Sequence, residues 1–165
     1  MATRSGEGFD RETPRVLEVD RATRALMKGE VQESACGIIV GPDHRVLVVT
    51  NRRLGGWGVP GGKREPFDET IKHTLYRELR EEIGVLTFHG KMSFLGCYPY
   101  PEPSRRVVNV FHVGVVHGEP FPRETGTEIA WFSEEHLFAS KPFGDFYATH
   151  FSDGFDHLMP TVVYA

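Results

Sequence analysis

A chain of 165 residues with 39% hydrophobic content is long enough to bury one core and too short for several. Its net charge of −4 argues against a dedicated nucleic-acid surface. No apolar run reaches the ~18 residues of a membrane span, and the stretch from Met1 to Asp10 lacks the apolar core of a secretory signal, so a soluble cytoplasmic protein is expected.

In chain order, residues 1–14 are polar and glycine-containing and read as a flexible tail, with one domain expected over 15–165. Residues 15–29 suit a strand and then a short helix stopped at Gly29. From Val31 the pattern turns β: a strand over 31–40, a Gly41-Pro42-Asp43-His44 turn, and a strand over 45–50. Residues 56–62 give a short apolar strand and a Pro60-Gly61-Gly62 loop, where glycine lets backbone amides and carbonyls approach a ligand. Asp68 is the expected N-cap of the next helix, which carries Ile71, Leu75, Leu79 and Ile83 as an apolar stripe and stops at Gly84. Residues 85–97 and 106–116 read as strands joined by a proline-rich loop. Residues 129–132 read as another strand, and Ser133 caps a short helix from Glu134 to Ala139. Cys36 and Cys97 lie in apolar, strand-like contexts and read as buried free thiols of a reducing compartment.

The helix after Asp68 carries the chemistry. At ~100° per residue, Glu81 lies ~60° to one side of Glu78 and Glu82 ~40° to the other, so the three acids share an arc beside the apolar stripe. Like charges at i,i+3 and i,i+4 each cost about 0.2–0.5 kcal/mol. Glu81 and Glu82 also sit at the negative end of the macrodipole. Something positive must offset them. Arg77 is i−4 to Glu81, but Arg80 points ~200° from Glu78. A hard divalent cation is therefore the better fit than an ordinary salt-bridged surface helix.

The segment from Gly62 to Val85 resembles the Nudix hydrolase box, G-x5-E-x7-R-E-U-x-E-E-x-G-U, with U a bulky aliphatic residue. Glu69, Arg77, Glu78, Leu79, Glu81, Glu82, Gly84 and Val85 fall on pattern positions, with one extra residue between Gly62 and Glu69. The resemblance covers roughly residues 31–140 and leaves 141–165 outside. It implies an α/β (α+β) fold, a Nudix-like α/β/α sandwich with a mixed β-sheet. It also implies a hydrolase of nucleotide diphosphate bonds that uses Mg2+, with Mn2+ as an alternative. Nucleoside triphosphates are the first expected substrates and NDP-sugars (ADP-ribose or a GDP-sugar) the second, with a non-catalytic nucleotide sensor as the rival. No stable nucleic-acid or membrane partner is expected, and the oligomeric state, a homodimer included, is left open.

By the same resemblance, Glu78, Glu81 and Glu82 hold the metal with the Gly62 carbonyl, and Glu69 pairs with Arg77 to tie loop to helix. Glu81 and Glu82 are assigned to catalysis together with a general base that lies either on the helix itself or on the late loop, where Glu128, adjoining the 129–132 strand, is favoured over Glu124. Lys63, Arg52 and Arg53 are the nearest basic residues for substrate phosphates. Trp57 is a candidate to stack a base, with a place in the core as its alternative. Tyr98, Pro99, Tyr100 and Pro101 combine residue types that mark different substrate branches and point to no single one.

Overall fold

The computed structural model describes residues 31–51, 53–87, 91–99 and 106–165. The expected tail, the strand and helix of 15–29, Arg52, Tyr100 and Pro101 lie outside the described residues.

The described chain runs β1 (Gln32–Ile38), β2 (Val46–Thr50), β3 (Trp57–Gly58), β4 (Gly61–Lys63), α1 (Ile71–Ile83), β5 (Leu86–Thr87) and β6 (Met92–Pro99). It continues through β7 (Arg106–Val113), β8 (Val115–His117), β9 (Ile129–Phe132), α2 (Glu134–Ala139), α3 (Gly144–His150) and β10 (Val162–Tyr164). The central sheet has the order β4-β1-β7-β6 and is mixed, because β1 and β7 are parallel. Two three-stranded sheets, β3-β2-β9 and β10-β8-β5, flank it.

Side-chain alternation sorts these strands into layers. Cys36, Ile38, Val46, Val48, Val108 and Val110 join one core cluster with Leu137, Phe143, Phe146 and Tyr147 of the α2–α3 region. Their neighbours Ala35, Leu47, Val49, Phe111 and Val113 face the other way, onto the Ile71, Leu75, Leu79 and Ile83 stripe of α1. Strands so enclosed read as nearly unbroken apolar runs, as β2 and β7 do. The result is the expected helix–sheet–helix sandwich.

Local signals place most boundaries. Gly84 ends α1 in the left-handed region (φ 70°), and the Ser133 side chain accepts from His136 N (3.2 Å) to start α2. Two expected strands are split. Residues 85–97 divide into β5 and β6, which belong to different sheets. The run over 106–116 breaks at Gly114, whose N–H donates to Lys91 O (2.7 Å) while its carbonyl accepts from Val162 N (2.9 Å). The chain thus leaves the central sheet and pairs as β8 with β5 and β10.

Residues 141–165 pack onto the same core. Phe143, Phe146, Tyr147, Phe155 and Leu158 are buried in the α2–α3 cluster, and the Tyr147 hydroxyl accepts from Val59 N (3.0 Å). Buried Thr161 accepts from Val40 N (3.2 Å) and donates to Val113 O. Thr161→Val keeps the shape but leaves these buried backbone groups without the hydroxyl. A loss of about 1–3 kcal/mol is expected in urea unfolding, with an unchanged m-value.

Candidate active site

The site forms where the edge strand β4 meets α1. In the antiparallel register, Gly62 lies opposite Ala35 and Gly61 opposite Cys36. Backbone bonds from Arg64 N to Glu33 O and from Gly37 N to Pro60 O, both 2.9 Å, fix which pairs of that ladder are hydrogen-bonded. Alternation makes Gly62 a ladder-bonded residue and turns the polar groups of Gly61 and Lys63 outward. Accordingly, Gly61 N donates to Glu82 Oε2 (2.9 Å) and Lys63 O accepts from Arg77 Nη2 (2.9 Å). The carbonyl turned toward the acid helix is therefore that of Gly61, which corrects the expectation for Gly62. Gly62 is needed for another reason: a Cβ there would lie 2.3 Å from Glu78 Oε1.

Arg77 is the hub. Its Nε and Nη2 donate to Asp68 Oδ1 and Oδ2 (3.1 and 3.0 Å), and its Nη1 donates to Glu78 Oε1 (3.0 Å) and Glu81 Oε2 (3.1 Å). Asp68 is buried and also accepts from Glu65 N (2.9 Å) and Thr74 Oγ1 (3.0 Å). Burial works to raise its pKa, but the hydrogen bonds from Arg77, Glu65 and Thr74 and the Arg77 charge hold it below the usual value. The Asp68 hydrogen bond in turn raises the pKa of Arg77 further above its already high value.

Two expectations are corrected here. The N-cap is Thr70, which accepts from His73 N (3.2 Å), and not Asp68. The expected Glu69–Arg77 pair does not form: the Glu69 side chain is 83% exposed and approaches His73 Nδ1 at 3.9 Å. Asp68 has the five-residue spacing from Gly62 that the box asks of its acid. The extra residue thus falls just before the helix, and Asp68 does what was expected of Glu69.

Burial, first of all, raises the pKa of both Glu78 and Glu82. For Glu78 the adjacent Arg77 opposes this. Glu82 is pushed up to about 8, the Gly61 N–H opposing and the charges of Glu78, Glu124 and Glu81 adding. Glu81 is half exposed. With Arg77 holding Glu78 and Glu81, and Gly61 holding Glu82, no three acids or histidines among the described residues already converge on one point. The donor set is nonetheless carboxylate oxygen, partly buried at Glu78 and Glu82, mutually repelling and close to a backbone carbonyl, which fits a hard divalent cation.

A cavity of about 350 Å³ opens beside this cluster and runs from Glu82 and Glu124 past Cys36 and Val108 to Phe143, Phe146 and Tyr147. Lys63 and Arg53 line it as expected, and so does Arg106, which carries no local signal because β7 reaches the cavity only through its pairing with β1. The late loop is brought in, but through Glu124: both acids are exposed, and Glu128 is outside the cavity lining, its N–H bound to Thr50 Oγ1 (3.0 Å) and its carbonyl accepting from Thr50 N (3.0 Å) at the start of β9. Trp57 belongs to the core, 5.4 Å from the Phe132 ring, and does not line the cavity. The Tyr98 ring lies 4.2 Å from that of His150, tilted by 32°. Burial pushes the Cys36 thiol up to about 12, Cys97 is only half-buried, and neither forms a disulfide.

The NUDIX domain model matches residues 31–152. The chain belongs to the NUDIX family. The match extends past residue 140 and takes in α3, beyond the span that the box alone suggested. A MutT-like protein of Streptomyces ambofaciens is 27% identical over 130 residues, covering 78% of this chain and 80% of that protein. The human mitochondrial coenzyme A diphosphatase NUDT8 is 46% identical over 37 residues, 22% of this chain and 16% of that one. The MutT protein of Methanosarcina mazei superposes with a TM-score of 0.58 at 26% identity, over 74% of this chain and 94% of that one. The Nudix fold and family make this a hydrolase of diphosphate bonds. Among the described residues no helix is long and apolar enough to cross a membrane.

Asp68→Asn is expected to cost about 1.5–3 kcal/mol in chemical unfolding, the range for hydrogen bonds to charged groups, and Glu69→Gln no more than about 0.5 kcal/mol. Asp68 is held below its ordinary value of 3.8, so its contribution is present above that pH and lost as the pH falls through the folded value. Glu82 behaves in the opposite sense. Between its ordinary 4.5 and about 8 the native state holds a proton that the unfolded state has released, so metal-free stability falls as pH rises across that window. Melting curves of metal-free Glu82→Gln should lack this slope and lie at or above the parent at pH 8.

Proposed function

We propose that this chain is a Mg2+-dependent nucleotide pyrophosphohydrolase, with nucleoside triphosphates as substrates and water as the nucleophile. The observation that carries the reading is a cavity that combines a charged lining, Glu82, Glu124, Arg53 and Lys63, with an aromatic one, Phe143, Phe146 and Tyr147. A nucleotide has the same polarity: a charged phosphate chain at one end and a flat base at the other. The volume of about 350 Å³ suits one nucleoside better than two.

Glu78, Glu81 and Glu82, with the Gly61 carbonyl, would hold the cation. When bound, Mg2+ (or Mn2+) neutralises phosphate charge and makes water a better nucleophile. The protein's own groups do the rest. Glu124 accepts the proton of the attacking water as general base. Lys63 and Arg53 neutralise the phosphates that leave or stay. Phe143, Phe146 and Tyr147 receive the base and exclude water from that end. Arg77 keeps Glu78 and Glu81 in place while the site is empty. Two cysteines outside any disulfide suit a reducing compartment, and the cytoplasm is the proposed location.

Product release from a panel of nucleoside triphosphates, ADP-ribose and coenzyme A, with Mg2+ and with chelator, tests this. Triphosphates should yield monophosphate and pyrophosphate, and chelator should stop the reaction. Faster turnover of ADP-ribose or coenzyme A would replace the substrate class, and binding without product would make the chain a sensor. Glu82→Gln should abolish turnover. Glu124→Gln should lower kcat by about 10²–10⁴-fold with little change in KM, while Glu128→Gln turns over at the parent rate.

A further inference from the structure

Residues 118–128 join β8 to β9 without helix or strand, yet Glu124 within them stands beside Glu82 at the cavity. A free connection of this length would leave that carboxylate undirected. The loop is instead fixed to the C-terminal end of α1. Phe121 N donates to Ile83 O (3.1 Å), Arg123 N to Glu82 O (3.0 Å) and Arg123 Nη1 to Arg80 O (2.9 Å). These carbonyls belong to the last turn of a helix, where no intrahelical donor remains for them. The Phe121 ring closes over Gly84 so tightly that a Cβ there would lie 2.4 Å from Phe121 Cε1. Downstream, Thr127 N donates to Glu124 O (3.1 Å), which turns the chain back toward β2.

Arg123 therefore brings a cation to the end of α1 where the macrodipole is negative and Glu81 and Glu82 are crowded. The very next residue is the one the cavity receives. We propose that Arg123 is a positioning residue: it caps α1 and so fixes the loop that brings Glu124 to Glu82, acting on the reaction through Glu124 and not by touching the substrate. The inference rests on the assignment of Glu124 to the site.

The test uses Arg123→Ala and Arg123→Lys, each in the parent and in the Glu124→Gln background, with kinetics, melting curves and hydrogen exchange of the metal-free protein. Arg123→Ala should lower kcat roughly 10–100-fold, the range for a displaced catalytic group, with KM and Tm little changed. Arg123→Lys should restore part of the rate, since an ammonium can still donate to the Arg80 carbonyl. In the Glu124→Gln background Arg123→Ala should cost nothing further. The amides of Phe121 and Arg123 should exchange faster in Arg123→Ala while those inside α1 do not. A parent-rate Arg123→Ala beside a slow Glu124→Gln overturns the inference alone, as do effects that multiply in the double variant. A fall in Tm that accounts for the lost rate, without rescue by lysine, reduces Arg123 to a stabilising contact. Glu124→Gln at the parent rate removes the assignment of Glu124, and the inference with it.

Discussion

The guanidinium of Arg77 joins three pieces of chain at one point. It donates to the backbone of β4 at Lys63, to the buried carboxylate of Asp68 and to two acids of its own helix. Only a planar fork with five donors can serve all of these at once, and lysine, with one compact ammonium, could not. Without it, α1 would carry adjacent acids against the edge strand β4, and the carboxylates would repel one another into solvent.

Around that hub the site is held in a state that folding alone would not choose. Glu82 is carried into a poorly solvated position by the same helix whose Leu79 and Ile83 are fully buried, and it arrives with three acidic neighbours and one backbone N–H. The apolar stripe of α1 offsets this, since burying one such side chain contributes about 1.5–3 kcal/mol. Local electrostatic discomfort supported by a strong core is what a site for a multivalent cation requires.

The other half of the site comes from distant chain. The late loop supplies Glu124, and α3 supplies the aromatic end of the cavity, so residues 141–165 belong to the functional unit as much as to the core. Tyr147 links the two directly, because its ring lines the cavity while its hydroxyl anchors Val59 just before the Gly61–Gly62 strand.

What the sequence determined by itself was local and periodic. The stripe of α1, its stop at Gly84, the Ser133 cap and the turn around Asp43 all follow from spacings of two to four residues, which backbone geometry makes nearly obligatory, while the layered sandwich came from the resemblance of the box. The box likewise placed Glu78, Glu81 and Glu82 on one arc without any tertiary information. Choices between adjacent residues were a different matter. Asp68 and Glu69 are both acids before a helix, Gly61 and Gly62 both glycines in one turn, and Glu124 and Glu128 both acids of one loop. A single step along a strand reverses which way the backbone groups point, and a step along a loop has no fixed direction at all. Only the pairing of β4 with β1, the reach of Arg77 and the docking of the late loop on α1 decide which member of each pair faces the site.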